Sequence, residues 1–209
     1  MLTTTPSTLG LVLAGGLARR MGGGDKALLR IGGETILERT LSRFAPECEC
    51  VIINANGDLG RFAFTALPVV ADDVAGFAGP LAGILAGLDW AARNAPEIGW
   101  IASVPGDCPF LPRDLVKRLH AARLADGTSL ACARSGEWRH PVVGLWSVAL
   151  RHDLRRALVD EDLRKIEIWT TRHGVAIADW PAAPIDPFFN VNTPEDLAAA
   201  NRLAKENAG

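Results

Sequence analysis

Arg19, Arg20 and Lys26 crowd into one stretch with Gly15, Gly16 and the run Gly22-Gly23-Gly24. Glycine lets backbone N–H groups come close to a phosphate, because no Cβ intervenes and positive φ is open. With three cations added, the composition is that of an anion cradle and reads as a nucleotide-binding loop. Farther on, polar residues stand where apolar runs end: Asn54 after Val51-Ile52-Ile53, Asp72 after Val69-Val70-Ala71, and Asp107 after Ser103-Val104-Pro105-Gly106. Mg²⁺ keeps several waters and takes one or two carboxylates plus phosphates. Asp107 is therefore the candidate metal ligand, although an aspartate before a helix is also a common cap.

Two familiar phosphate loops fit poorly. G-x-x-x-x-G-K-[ST] fails because Lys26 follows Asp25 and precedes Ala27. Gly22 to Ala27 satisfies G-x-G-x-x-A, yet it begins well past Ala14, where the preceding apolar run ends, and is read as a chance match. The plain alternative is a glycine-rich surface loop with solvated charges. Against it stands the ordered recurrence of glycines, arginine and lysine, which is similar to the signature loop of nucleotidyltransferases that activate sugars and related phosphates.

Elements must exist to hold these groups. Residues 9–13 form an almost wholly apolar run, the pattern of a buried parallel strand feeding a glycine turn. Further strands are predicted at 51–53, 68–71, 100–104, near 130–133, at 142–146 after Arg139-His140-Pro141, and at 175–178. Between them lie helical faces: Ile36, Leu37, Leu41 and Phe44; Leu81, Ile84, Leu85 and Leu88 behind Gly79-Pro80; then Leu115, Leu119 and Ala122 in a helix from Pro112. Leu150, Leu154 and Leu158, then Leu163, Ile166 and Trp169, form two more, and Thr193 with Asp196 reads as an N-cap and its N3 acid ahead of the last helix. The alternation predicts an α/β fold, a three-layer α/β/α sandwich with a mostly parallel, Rossmann-like sheet. In such sheets ligands bind outside the carboxyl ends of the strands, where Asn54, Asp72 and Asp107 stand.

The chain has 209 residues, 48% of them hydrophobic, and a formal net charge of −2, which suits one ordinary domain spanning 1–209. Nothing in it suggests a nucleic-acid or membrane-surface partner. Residues 1–8 are polar and read as a flexible tail without a signal-peptide core. No apolar run approaches the length of a membrane span, so a cytoplasmic protein is expected. Cys48, Cys50, Cys108 and Cys132 match no zinc spacing and are expected to be buried free thiols.

Taken together, Leu13-Ala14-Gly15-Gly16, Arg20-Met21-Gly22-Gly23, Asp25-Lys26, Asn54, Asp72, Gly79-Pro80-Leu81-Ala82-Gly83, Asp107 and Asn190-Val191-Asn192-Thr193-Pro194 resemble the molybdenum cofactor guanylyltransferase family over nearly the whole chain. Gly24 before Asp25 and Cys108 after Asp107 are departures that leave the motif order intact. The resemblance implies transfer of GMP from GTP to the phosphate of molybdopterin with release of pyrophosphate, Mg²⁺ as cofactor, and transient contact with cofactor-synthesis proteins or recipient molybdoenzymes. It puts Leu13, Ala14, Gly15, Asn54 and Asp72 at the nucleotide, Lys26 at its phosphates, Mg²⁺ on Asp107, and Arg20, Lys26 and Asp107 in catalysis.

On the acceptor side, Asn190, Asn192, Arg139 and His140 are expected to meet the pterin or its phosphate. Two asparagines two apart on an extended segment share a face, and Val191 between them turns into the core. The bland reading is that an asparagine only ties the loop before Thr193 and that Arg139 is a solvated charge. Two rival functions are a CTP- or UTP-dependent transferase acting on molybdopterin or on a sugar or polyol phosphate, and a non-catalytic nucleotide-sensing module. The segment 190–194 favours the guanylyl family over the first, and Asp107 argues against the second.

Overall fold

The computed structural model describes residues 5–15, 25–74 and 79–206. In chain order its elements are β1 (Thr8–Leu13), a small hairpin of β2 (Arg30–Ile31) and β3 (Glu34–Thr35), α1 (Ile36–Phe44), β4 (Cys50–Asn54), β5 (Val69–Val70), α2 (Pro80–Asn94), β6 (Trp100–Pro105), α3 (Leu115–Asp126), β7 (Leu130–Ser135), β8 (Trp138–Ser147), α4 (Arg151–Val159), α5 (Ile166–His173), β9 (Ala176–Trp180) and α6 (Pro194–Glu206). Seven strands form one sheet in the order β5-β4-β1-β6-β8-β7-β9, and β8 alone runs against the rest. Helices cover both faces, giving the expected three layers.

β1 is apolar because it is covered on both sides. Leu9 and Leu11 join the core beneath α2, α4 and α5, while Val12 joins the core beneath α1 and α3. In α2, the residues Leu81, Ile84, Leu85 and Leu88 are almost completely buried. Each such side chain contributes roughly 1.5–3 kcal/mol relative to exposure. The register aligns Leu13 with Asn54 on one side and with Pro105 on the other, so β4, β1 and β6 end along one line. That shared edge carries the site.

Several boundaries differ from the sequence reading, three of them informatively. β1 begins at Thr8, whose side chain is buried, so the expected tail loses its last residue to the sheet. α3 begins at Leu115 instead of Pro112, because Asp114 lies at φ −122°, ψ 20°, outside helical geometry. Asp114 makes no cap bond, and the Lys117 N–H donates instead to Glu47 from across the chain, at 3.2 Å. β8 begins at Trp138, so Arg139 and His140 are strand residues paired with Arg134 and Ala133 beyond an irregularity at Cys132/Ala133. The last helix behaves as expected, with Thr193 Oγ1 accepting from the Asp196 N–H and Asp196 returning the bond to Thr193 N–H. All four cysteines are free, with Cys108 and Cys132 buried and Cys48 and Cys50 half-buried.

Thr8 is fixed by a buried histidine. His120, 2% exposed, accepts at Nδ1 from Arg123 Nε at 3.1 Å, which leaves the proton on Nε2 to donate to Thr8 Oγ1 at 2.8 Å. The Thr8 hydroxyl then donates to Pro6 O at 2.7 Å. Burial, then the nearby Arg123 charge, pushes the imidazole pKa down to about 4. Above pH ~6.5 both folded and unfolded histidines are neutral, and stability is full. As pH falls from there toward 4, only the unfolded chain takes up the proton, so stability is lost across that window, roughly 3 kcal/mol in all. Denaturant unfolding at pH 7 and pH 4.5 should show a drop about 2 kcal/mol smaller in His120→Gln than in the parent chain. Equal drops would place the acid sensitivity elsewhere.

Candidate active site

A cleft of about 380 Å³ opens at the carboxyl ends of β4, β1 and β6. Its floor continues the strand ladders: Ala14 N–H donates to Asn54 O at 2.8 Å and Gly106 N–H to Leu13 O at 2.9 Å. Those bonds fix residues 13–15 and the turn bearing Asp107 as extensions of the sheet. Placed on rigid elements, such groups need little reorganisation when a ligand arrives.

One wall is an amide–carboxylate network. Asn54 Nδ2 donates to Val70 O at 3.1 Å and to Asp72 Oδ1 at 2.9 Å, while Asn56 Nδ2 donates to Asp72 Oδ2 at 2.8 Å. The Asp72 N–H returns a bond to Asn56 Oδ1 at 2.9 Å. Both carboxylate oxygens are thus occupied and the group is held rigidly at the rim. α2 closes in from above, with Gly79 and Pro80 at the cleft. A Cβ at Gly83 would stand 2.3 Å from Asn54 Oδ1 and 2.7 Å from Leu13 Cδ2, so only glycine lets this helix sit so low.

The opposite wall brings Lys26 and Asp107 together. Lys26 Nζ donates to Asn192 Oδ1 at 2.7 Å. Asp107 is half-buried. Burial pushes its carboxyl pKa upward, the Lys26 charge pulls it back, and Asp25 pushes it up again. The segment 190–192 clasps this corner: Val191 N–H donates to Asp107 O at 3.1 Å, and the Cys108 thiol lies against Asn190 Oδ1. Val191 itself is buried beside Ile31, Ile36 and Ala200, as its alternation with the asparagines demands.

Of the residues singled out from sequence, Leu13, Ala14, Gly15, Lys26, Asn54, Asp72 and Asp107 all line the cleft. Arg20 lies outside the described residues, as do its neighbours Arg19 and Gly22. Asn192 faces Lys26, and Asn190 faces the Asp107 turn. Arg139 and His140 are not in this cleft. His140 Nε2 meets Ser135 Oγ at 2.7 Å and its ring packs 4.7 Å from Phe188, whereas Arg139 borders a separate small pocket with Ile166 and Thr170 of α5. The two are neighbours in a strand, so their side chains leave opposite faces. Sequence reasoning missed Asn56, although its place two residues after Asn54 at a strand end was the available signal. It also missed that Asn192 meets Lys26, a contact between residues 166 positions apart that no local pattern announces.

A MobA-like NTP transferase domain model matches residues 10–174. The chain is 58% identical over 209 residues, the whole of both chains, to a protein of Nitrobacter hamburgensis named molybdenum cofactor guanylyltransferase. Among solved structures it is similar to molybdopterin-guanine dinucleotide biosynthesis protein A from Archaeoglobus fulgidus, with TM-score 0.73 and 21% identity, covering 95% of this chain and 100% of that one. A Mycobacterium tuberculosis protein solved in complex with manganese superposes with TM-score 0.65 at 22% identity, over 95% of this chain and 100% of its own.

Proposed function

The chain belongs to the molybdenum cofactor guanylyltransferases, a nucleotidyltransferase family of molybdenum cofactor biosynthesis, and from that premise we propose that it transfers GMP from GTP to the phosphate of molybdopterin. The observation that carries the reading is the convergence of Lys26 and Asp107 on one wall of a cleft whose other wall is the Asn54–Asn56–Asp72 network. A nucleoside triphosphate laid across it meets fixed amides and a carboxylate at the nucleoside end and a cation at the phosphate end.

Nucleotidyl transfer needs no protein nucleophile. An oxygen of the acceptor phosphate attacks the α-phosphorus, the bond from the α-phosphorus to the bridging oxygen breaks, and pyrophosphate leaves with the electron pair. The residues supply position and charge. The Gly15 N–H and the Lys26 ammonium hold phosphate oxygens, and Asn54 and Asp72 hold the nucleoside side. Asn190 and Asn192, on the clasp beside Lys26, are where the acceptor approaches. His140 packs on Phe188 at the foot of this clasp and Arg139 borders a separate small pocket, and neither lines the cleft.

Among the described residues there is no group of three or more His, Cys, Asp or Glu that would hold a metal unaided. One half-buried carboxylate facing a phosphate site fits Mg²⁺, which takes one or two carboxylates plus phosphates and waters. Asp107 would hold it, and there it would supply positive charge to the phosphates during transfer. Among the described residues no helix is long and apolar enough to cross a membrane, which is compatible with work in the cytoplasm and transient delivery of product to cofactor-synthesis proteins or recipient molybdoenzymes.

A thermal-shift series with GTP, CTP, UTP and ATP, each with Mg²⁺, tests the nucleotide. At a hundredfold excess over Kd the preferred one stabilises the fold by about 2.7 kcal/mol, and GTP should give the largest shift. Pyrophosphate release on adding molybdopterin then tests the acceptor. A larger shift with CTP, and turnover with it, would reassign the enzyme to the cytidylyl reaction.

A further inference from the structure

We propose that Arg61 is a positioning residue that fastens the phosphate wall of the cleft to the nucleoside wall and thereby sets nucleotide affinity without contacting the nucleotide. The proposal rests on the reading that the cleft takes a nucleoside triphosphate. Arg61 sits in the short helical segment Leu59–Thr65, outside the cleft lining. Its Nε donates to Asp25 Oδ2 at 2.7 Å, with the two side chains 22% and 10% exposed. The other oxygen of Asp25 accepts the Ala27 N–H at 3.1 Å and so caps the turn Lys26–Leu28. A second guanidinium nitrogen donates to Asn56 O at 3.0 Å and to Asp58 O. Asn56 in turn grips Asp72 through both its amide oxygen and its amide nitrogen.

One planar group therefore closes a continuous path from Lys26 through Asp25, Arg61 and Asn56 to Asp72. The path matters because its two ends come from segments far apart in the chain, Asp25–Leu28 and Asn54–Asp72. Asp25 itself lines the cleft. Without Arg61, its shielded negative charge would stand uncompensated beside a phosphate site, which is costly for the fold and repels the ligand. Arginine suits the task. Its rigid fork offers donors in two directions at once, whereas a lysine at the same place is a point charge that serves one acceptor well.

Arg61→Ala and Arg61→Lys, compared with the parent enzyme, test this with two readouts. Hydrogen–deuterium exchange, which needs no ligand, should accelerate together in peptides covering residues 25–29 and 54–60 of Arg61→Ala, with α3 unchanged. In steady-state assays the KM for whichever nucleotide the parent enzyme uses should rise about tenfold while kcat stays within about twofold, the signature of lost binding that is uniform between ground and transition states. Arg61→Lys, which keeps the charge, should fall between the two and guards against a variant that fails to fold. Exchange rising only around residue 61 overturns the bridge, and so does a kcat that falls as far as kcat/KM with KM unmoved. Coupled exchange in a protein that binds none of the four nucleotides would instead sink the functional reading and the affinity role while leaving the bridge standing.

Discussion

Asp107→Ala is expected to lower Mg²⁺-dependent turnover by roughly 10²-fold or more, the scale on which one preorganised electrostatic element is worth in a reaction that spreads negative charge. The fold should tolerate the change. Asp107 holds its turn through backbone groups, the carbonyl accepting from Val191 N–H and the neighbouring Gly106 N–H donating to Leu13 O, and neither bond needs the carboxylate. Removing the carboxylate relieves its burial penalty, and the Lys26 ammonium that faces it keeps its bond to Asn192 Oδ1. The measurement is pyrophosphate release against Mg²⁺ concentration for the parent enzyme, Asp107→Ala and the near-isosteric Asp107→Asn. Both variants should lose turnover and the metal dependence together at unchanged melting temperature. Undiminished Mg²⁺-dependent turnover in Asp107→Ala would remove this residue from the chemistry.

The strands that build the cleft were legible because burial on both faces writes a continuous apolar run, as in Leu9 to Leu13 and Trp100 to Val104. The cap of α6 was legible for a different reason: Thr193 and Asp196 satisfy each other within one turn, so the chemistry is local. The start of β8 was not. Trp138-Arg139-His140 is exposed enough to read as a loop, and it is strand only because β7 pairs with it past the point where β6 leaves β8. The same limit separates the parts of the site. Strand ends gave Asn54, Asp72 and Asp107, but Arg61 on Asp25 and Asn192 on Lys26 are partnerships between distant segments, and the chain carries no periodic mark of them. Arg139 and His140 were expected at one ligand, whereas strand geometry sends them to opposite faces and neither lines the cleft.

Lys26 offers the sharpest separation of catalysis from stability. Its ammonium is held by the amide oxygen of Asn192, a neutral acceptor, at 2.7 Å. Among the described residues no carboxylate is in ion-pair contact with it, so its removal leaves an asparagine amide that water in the cleft can reach and takes from Asp107 only a through-space attraction. Lys26→Ala should therefore cost under about 1 kcal/mol of stability, an ordinary hydrogen bond, and lower the melting temperature by roughly 2–4 °C at most for a chain of this size. Turnover should fall about 10²-fold or more, because a fixed cation beside the phosphates counts most when charge spreads in the transition state. Asn192→Ala is informative beside it. From sequence Asn192 was expected on the acceptor side; its contact with Lys26 makes a weaker nucleotide affinity the expected result as well, since the ammonium loses its anchor. In the double variant the two losses should not add, as residues in one contact rarely act independently. Melting temperature collapsing in Lys26→Ala, with nucleotide affinity per folded molecule intact, would make Lys26 a structural residue and leave the phosphates without their cation.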